Sequence, residues 1–337
     1  MLKTEAKETE TLDNRTPILQ VKNLRKHFPV DGLFGKLGKK KGIVKAVDGV
    51  SFDLYEGETY GLVGESGCGK STTGRTILRL LEPTEGEAIY QNKNIFEYNR
   101  AEMREIRKDL QMVFQDPYSS LNPRKRIGQT IEEPLIIHGI ANANERTEMA
   151  MDILEKVGMR VDHYYRYPHE LSGGQRQRIG LARALIVDPK IIVADEPVSA
   201  LDVSIQSQVI NLLQKLQNEL KLTYLFIAHD ISVVRHISDR IGVMYLGHLV
   251  EEASTDDLIE DPLHPYTKAL LSAVPIPNPK HKKERLILKG DLTSPLNPPT
   301  GCVFHTRCPF AMDICKQQKP VMQEKKTGHK VACHLDE

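Results

Sequence analysis

The first part of the chain alternates apolar and polar residues at nearly every second position, a pattern that predicts β-strands. Two such strands cover residues 18–28 and 44–55, and a short continuous apolar run at 60–63 predicts a buried strand. A segment with helical periodicity follows at 72–81. The ordered part of the chain is therefore expected to begin with strands and to continue with a strand-to-helix unit.

Farther along, strand and helix patterns alternate in the rhythm of a parallel sheet covered by helices. The exception lies between residues 115 and 171, where helix follows helix and the clearest helices are 130–138 and 146–157. The other predicted elements are strands at 87–91, 110–114, 190–194 and 223–228, helices at 100–108, 174–187 and 203–220, and then further strands and a final helix up to about residue 274. The predicted fold class is α/β, with a mixed or parallel sheet and an inserted helical subdomain.

The two ends of the chain and one internal loop depart from this pattern. Residues 1–16 are polar and acidic, which predicts a disordered leader, and prolines at 275, 277, 279, 295, 298 and 299 predict an extended linker. We therefore expect a main domain at 17–274, its helical subdomain at about 116–172, and a linker with a cysteine-rich extension at 275–337. The lysine-rich segment 32–42 is expected to be a solvated loop, and its role stays open.

Charge is almost balanced, with 46 Lys and Arg against 45 Asp and Glu, a net charge of +1. Such a chain has no overall field that would hold it on nucleic acid or an anionic membrane, so either role needs a local surface. No run of 18 or more apolar residues is present, and the polar start lacks the apolar core of a signal peptide. We expect a cytosolic protein, in which cysteines indicate metal binding or reactivity rather than disulfides.

The strand-to-helix unit contains the spacing GxxxxGK[ST]. Its residues are Gly64, Glu65, Ser66, Gly67, Cys68, Gly69, Lys70, Ser71 and Thr72. Glycines let the backbone turn its N–H groups around phosphate oxygens at the start of a helix. Lys70 can then reach the β- and γ-phosphates, and the Ser71 hydroxyl can ligate Mg²⁺. The expected ligands are a nucleoside triphosphate and Mg²⁺, with Cys68 filling space inside the loop.

A second strand ends in two acids, as a phosphate loop requires. The apolar run 191–194 leads directly to Asp195 and Glu196, which places both at the carboxyl edge of the sheet, where open α/β folds bind ligands. Asp195 is expected to hold the Mg²⁺ shell, and Glu196 is expected to act as the general base on the attacking water.

A second candidate anion site opens the helix predicted at 174–187. Leu171-Ser-Gly-Gly-Gln175 offers glycines and a serine at a helix start, and the chain already has one phosphate site. The simplest role for this second anion site is to bind the phosphate of a nucleotide held by a second molecule. This stretch is one of five motifs that occur in the same order as in ABC-type ATPases. The other four are the phosphate loop, Asp195-Glu196, residues 199–202 and residues 228–230. The chain resembles that family over about residues 17–274.

The resemblance implies roles for individual residues. Gln115 matches the Q-loop glutamine at Mg²⁺ or the lytic water, and His229 matches the switch histidine at the γ-phosphate. Phe28 is the candidate for the aromatic residue that stacks on adenine, with Val47 nearby. Ser172 and Gly174, with Gly173 between them, match signature residues that close over the γ-phosphate held by a second subunit. Asp202 matches the D-loop aspartate, and Gln175 is implied as a further nucleotide-binding residue.

Two further stretches resemble the ATPase subunits of oligopeptide/dipeptide (peptide/nickel) importers. They are residues 115–124 and 260–267. This resemblance implies ATP hydrolysis at the cytoplasmic face of the cell membrane and a second ATPase chain that is identical or related. It also implies two membrane-spanning permease subunits, which dock in a groove near residues 115–124 and the helical subdomain, and indirectly an extracellular peptide-binding protein. The alternative is a soluble ABC ATPase acting on nucleic acid with a zinc-bound tail, against which the net charge argues.

Four cysteines lie close together near the end of the chain, at Cys302, Cys308, Cys315 and Cys333. Four thiols within about thirty residues suggest a metal site, although the paired CxxC of a zinc ribbon is absent. In the importer family this pattern resembles an iron–sulfur site with four cysteine ligands. A [4Fe-4S] cluster is the favoured interpretation, with Zn²⁺ and no metal as the alternatives.

Overall fold

The computed structural model describes residues 15–30, 42–116, 120–274, 286, 288, 290, 294–296 and 298–335. The expected disordered leader therefore lies outside the described residues, apart from 15 and 16. Nearly all of the lysine-rich loop, most of the proline-rich linker and residues 117–119 of the expected docking stretch also lie outside them.

Twelve strands are found among the described residues. They are β1 (Pro17–Val30), β2 (Gly42–Tyr55), β3 (Thr59–Val63), β4 (Glu85–Tyr90), β5 (Lys93–Asn94), β6 (Leu110–Val113), β7 (Ile191–Asp195), β8 (Thr223–Ile227), β9 (Arg240–Tyr245), β10 (His248–Ser254), β11 (Gln323–Lys326) and β12 (His329–Val331). They form a four-stranded sheet in the order β2-β1-β4-β5 and an eight-stranded sheet in the order β11-β12-β10-β9-β3-β8-β7-β6.

Ten α-helices accompany these strands in the described part of the chain. They are α1 (Lys70–Ile77), α2 (Arg100–Asp109), α3 (Ile127–His138), α4 (Ala143–Lys156), α5 (Gly173–Leu185), α6 (Val203–Leu220), α7 (Ile231–Ile237), α8 (Thr255–Glu260), α9 (Pro265–Ala273) and α10 (Asp313–Gln317). None of the helices within the described ranges is both long enough and apolar enough to cross a membrane.

The centre of the large sheet is parallel. Strand β3 pairs in parallel with β8 and with β9, and β7 pairs in parallel with β8 and with β6. Every residue of β3, β7 and β8 is buried, as expected for strands covered on both faces. The carboxyl ends of these strands share one edge of the sheet, so the segments that follow them meet there.

The predicted elements agree with the structure in kind and differ mainly at their ends. Helix α6 has the predicted bounds, but the helix predicted at 72–81 begins at Lys70 and ends at Ile77. Helices α3 and α4 lie between β6 and α5, as the helical pattern predicted, and their apolar side chains join the core of the large sheet. The predicted α/β class with a helical insertion is confirmed.

The cysteine-rich segment packs directly on the large sheet. Strand β12 pairs antiparallel with β10, and β11 completes the hairpin at the sheet edge. Phe304 is 1% exposed and its ring contacts those of Tyr245 and Tyr266 at centroid distances of 5.2 and 5.5 Å. This segment therefore shares the hydrophobic core of the main domain.

A buried contact between a histidine and a carboxylate fixes the same attachment. The Nε2 atom of His329 in β12 lies 2.7 Å from Oε1 of Glu251 in β10, and both side chains are almost completely buried. The Glu251 carboxylate also accepts the backbone N–H groups of Leu263 and His264, at 2.7 and 3.0 Å. A buried carboxylate with three partners meets its hydrogen-bonding needs, so an acid in the interior is tolerated here.

Because Phe304 lies in the shared core, we expect Phe304→Ala to reduce the free energy of unfolding of the whole domain by about 3–5 kcal/mol. Urea denaturation followed by circular dichroism would measure it. Phe310→Ala is the matched control, since Phe310 is 51% exposed and its loss should change stability by no more than about 0.5 kcal/mol. Equal effects of the two substitutions would contradict the shared core.

Candidate active site

The phosphate loop is held in its conformation by two close backbone approaches. Gly64 and Gly69 have φ values of 152° and 107°, a region that disfavours residues with a side chain. A Cβ atom at Gly64 would lie 2.2 Å from the carbonyl oxygen of Met244, and one at Gly69 would lie 2.1 Å from that of Ala46. Both positions therefore require glycine, because a side chain would clash with a neighbouring carbonyl oxygen and because other residues disfavour these φ angles.

Lys70 begins α1 and its side chain lies inside the loop. Its Nζ donates to the carbonyl oxygens of Gly64 and Glu65, at 2.8 and 3.1 Å. Cys68 is buried beneath it, and burial raises the pKa of its thiol, in keeping with a space-filling role. Ser71 and Thr72 are half-buried in the first turn of the helix, while Ser66 and Gly67 are exposed at the tip of the loop. The loop thus presents a lysine, a serine hydroxyl and a helix N-terminus to one space.

Asp195 ends β7 and is fully buried. Its Oδ2 atom accepts from Nη2 of Arg75 at 3.2 Å, whereas its Oδ1 atom has no hydrogen-bond partner among the described residues. A buried carboxylate oxygen without a protein partner suits the oxygen coordination that Mg²⁺ prefers. The donor set of Asp195 and the Ser71 hydroxyl therefore fits Mg²⁺.

Three predicted site residues from three different loops, Gln115, Glu196 and His229, come together beside Asp195. The Nε2 atom of Gln115 donates to Oε2 of Glu196 at 2.7 Å, and Nδ1 of His229 lies 3.7 Å from the same oxygen. Glu196 has a φ of 47°, and its N–H donates to the carbonyl oxygen of Ile227 at 2.9 Å. This backbone contact with β8 directs the Glu196 carboxylate toward the segment that follows β8. The side chain of Glu196 is 14% exposed, and it adjoins a small cavity that His229 also lines.

The second predicted anion site is an exposed helix start. Ser172 caps α5: its hydroxyl accepts the N–H of Gln175 at 3.3 Å, and the Gln175 side chain accepts the N–H of Ser172 at 2.9 Å. A Cβ at Gly174 would lie 2.5 Å from Cγ2 of Ile205, so this glycine allows α5 and α6 to approach closely. Asp202 precedes α6 and is exposed, as are Ser172 and Gly173.

Comparison with known proteins identifies the family. The ABC transporter family matches residues 47–199, and the oligopeptide/dipeptide transporter C-terminal region matches residues 250–315. The oligopeptide transport ATP-binding protein AppF of Bacillus subtilis is 56% identical over 329 residues, which cover 96% of this chain and 99% of that protein. The chain belongs to the ABC-type ATPases of the oligopeptide/dipeptide transporter family.

Further relatives agree with this assignment. The dipeptide transport ATP-binding protein DppF of Haemophilus influenzae is 51% identical, over 97% of this chain and 100% of that protein. The dimeric, post-hydrolysis structure of the ATP-binding cassette MJ0796 bound to ADP and Pi has a TM-score of 0.61 and 33% identity, and the match covers 70% of this chain and 98% of that one. The ABC fold predicted from the motifs is confirmed, and the nucleic-acid alternative gains no support.

In this ABC ATPase, the predicted adenine-stacking residue lies beside the loop. Phe28 is half-buried in β1 and pairs with Val44 of β2, two residues before Ala46, whose carbonyl oxygen faces Gly69. Val47 is fully buried in the core of the smaller sheet. The Nζ atom of Lys26 lies 4.8 Å from the centroid of the Phe28 ring. The position of Phe28 is compatible with its predicted role, which stays a prediction.

The sequence interpretation missed several residues around the ABC phosphate loop. The hydroxyl of Tyr266 accepts the N–H of Glu65 at 2.8 Å, and the guanidinium of Arg307 donates to both Glu65 carboxylate oxygens at 2.8 and 3.1 Å. Tyr266 lies in the family stretch 260–267 and Arg307 adjoins Cys308, so both fell in segments already singled out. Tyr266 and Arg307 lie 201 and 242 residues from Glu65 in the sequence, so no local sequence pattern could predict these contacts.

The predicted metal centre of the ABC ATPase tail is not supported by the described residues, where no three His, Cys, Asp or Glu side chains form a group that could hold a metal ion. The four cysteines are nevertheless neighbours. The pKa of the Cys302 thiol is raised to about 11, chiefly by burial and also by the nearby thiols of Cys315, Cys333 and Cys308. Cys302 also donates its N–H to the carbonyl oxygen of Cys315 at 2.8 Å.

Proposed function

We propose that this chain is the ATP-hydrolysing subunit that drives the import of oligopeptides or dipeptides across a cell membrane. The observation that carries the proposal is the Glu196 carboxylate, held by Gln115 and His229 directly after the Mg²⁺-compatible Asp195. Peptide import is supported by the match of residues 250–315 to the oligopeptide/dipeptide transporter region.

The residues of one chain would divide the work of hydrolysis. The loop from Gly64 to Thr72 and Lys70 would bind the phosphates, while Mg²⁺ on Ser71 and Asp195, with Gln115 adjoining, would neutralise phosphate charge. Glu196 would accept a proton from the attacking water, and His229 would donate to the γ-phosphate. Phe28 would stack on the adenine. Positioning and charge stabilisation supply most of the acceleration in such a transfer.

A second ATPase chain would complete the site. Ser172 and Gly173 are exposed and Gly174 is half-buried at a helix start, where N–H groups and the helix dipole favour an anion. With Gln175 and Asp202, this surface would close over the γ-phosphate bound by a second chain, identical or related. Support comes from the matched cassette MJ0796, whose structure is dimeric and holds ADP and Pi. Closure of the two chains over the nucleotide would couple ATP hydrolysis to a movement of the two chains relative to each other.

Two membrane-spanning permease subunits are the expected recipients of that movement. The helical insertion carries an exposed apolar surface at the end of α3, formed by the neighbouring residues Ile136 and Ile137, whose exposed fractions are 55% and 52%. Exposed apolar patches of this kind mark interaction sites. This surface lies near the predicted docking stretch in the sequence, and it would place the ATPase on the cytoplasmic face of the membrane. An extracellular peptide-binding protein would then act through the permeases.

The tail thiols form a separate proposal. Four neighbouring cysteines offer the ligand set of a [4Fe-4S] cluster or of Zn²⁺, and thiolates select such metals. Cys302 and Cys315 are buried, while Cys308 and Cys333 are half-buried. Side-chain movement would be needed to bring these thiols into a ligand arrangement, since the described residues contain no group of three that could hold a metal ion.

Substitution of the general base tests the hydrolysis proposal. We expect Glu196→Gln to retain MgATP binding and to lower kcat for ATP by roughly 10²-fold or more, because the carboxamide cannot accept the proton of the attacking water. Phosphate release measures hydrolysis, and calorimetry with MgATP measures binding. Near-normal turnover in this variant would refute the assignment of the base.

Detergent co-purification tests the partners. We expect Ile137→Glu to lose the two permease subunits that co-purify with the unchanged chain, because a charge would enter an apolar interface. Val321→Glu is the matched control, since Val321 is 71% exposed on the tail. Mass spectrometry identifies the bound chains. Absence of membrane subunits from all three preparations, or retention of both by Ile137→Glu, would contradict the docking proposal.

Metal analysis after anaerobic purification tests the tail. We expect iron and acid-labile sulfide with visible absorbance, and we expect Cys308→Ser to lose them because four thiolates are needed for the cluster. Colourless protein with one zinc per chain would instead support the Zn²⁺ alternative. Protein containing neither metal would exclude both centres.

A further inference from the structure

The strongest unassigned contact joins the tail to the phosphate loop. The guanidinium of Arg307 holds the Glu65 carboxylate with two hydrogen bonds, from Nη1 to Oε2 at 2.8 Å and from Nη2 to Oε1 at 3.1 Å. Nη1 also donates to the hydroxyl of Tyr245 at 3.4 Å. The two charged side chains are only 10% and 24% exposed. A bidentate pair with this degree of burial is stronger and more specific in geometry than an exposed ion pair.

The other end of this pair is part of the nucleotide site itself. The carbonyl oxygen of Glu65 accepts from Nζ of Lys70 at 3.1 Å, and its N–H donates to the hydroxyl of Tyr266 at 2.8 Å. Glu65 is therefore held through its N–H, its carbonyl and its carboxylate. Any movement of its side chain is transmitted to the backbone beside the lysine that would bind the β- and γ-phosphates.

The charge of Glu65 is unfavourable for the proposed ligand. A triphosphate is strongly anionic, and a carboxylate on the second residue of the loop repels it, most of all where partial burial weakens solvent screening. Arg307 pairs with both oxygens of this carboxylate and so offsets its charge. The unfavourable negative charge of Glu65 in the loop is thus offset by Arg307, a residue far along the chain.

We propose that Arg307 is a positioning residue of the nucleotide site, which neutralises Glu65 and thereby makes tight triphosphate binding depend on the docked tail. The tail itself is anchored independently by Phe304 in the core and by His329 on Glu251. These anchors preorganise the guanidinium, so that pairing with Glu65 requires little additional ordering. This inference rests on the proposed binding of ATP and concerns affinity rather than the hydrolytic step.

Calorimetry with MgATP and MgADP on the full chain tests the inference. We expect Arg307→Gln to raise the Kd for MgATP about tenfold and that for MgADP by a smaller factor, because the uncompensated carboxylate repels the more highly charged nucleotide more strongly. We expect Glu65→Gln to lower the Kd for MgATP, because Arg307 then faces the site without a counter-charge. The double variant should return to within about twofold of the unchanged chain.

Lys326→Gln is the matched control, because Lys326 forms an exposed tail ion pair with Asp261 away from the loop and its loss should leave both Kd values unchanged. A double variant that binds as weakly as Arg307→Gln would show that Arg307 acts only by holding the tail, and would overturn the inference. If Arg307→Gln fails to fold, Glu65→Gln alone decides, and a raised Kd there would contradict the neutralisation. Failure of the unchanged chain to bind MgATP would instead refute the proposed function.

Discussion

The nucleotide site depends on the packing of one backbone segment against two others. The phosphate loop touches β2 through Gly69 and Ala46 and touches β9 through Gly64 and Met244, at distances that leave no room for a Cβ atom. Hydrogen bonds continue the contact, since the carbonyl oxygen of Cys68 accepts from Gly247 and that of Gly247 accepts from Asp48. The small antiparallel sheet and the large sheet are thus joined at the loop, and its shape is determined by both.

The parallel strands then determine what surrounds the loop. Because β3, β7 and β8 run in the same direction, the residues that follow them meet at a single edge, and Lys70, Asp195 and His229 are drawn from three separate parts of the chain. Buried apolar strands provide the rigidity, whereas the polar side chains at their ends provide the chemistry. Glu196 has a left-handed backbone conformation, and its carboxylate lies against Gln115 and His229.

The sequence predicted the parts that are encoded locally. Spacing alone located the loop, the two acids after β7 and the capped start of α5, and helical periodicity located α6. Strands were expected between residues 228 and 274 without individual bounds, but nothing in the sequence indicated that Glu251 and Glu252 of β10 are buried, where His329 and Arg240 pair with them. Partners so distant in sequence leave no periodic pattern. For the same reason the tail appeared to be a separate extension, although Phe304 completes the main core.

The pairing of β12 with β10 has a consequence for the order in which the molecule is assembled. As the chain emerges from the ribosome, residues 17–274 can collapse before residues 302–331 are released from it, and during that interval β10 is an unpaired sheet edge open to association with other chains. The phosphate loop is present at that stage, but its Glu65 carboxylate still lacks Arg307. Docking of the tail would therefore pair the exposed edge of β10 and complete the nucleotide site in one folding step. This limits the time in which an incompletely synthesised chain could bind ATP.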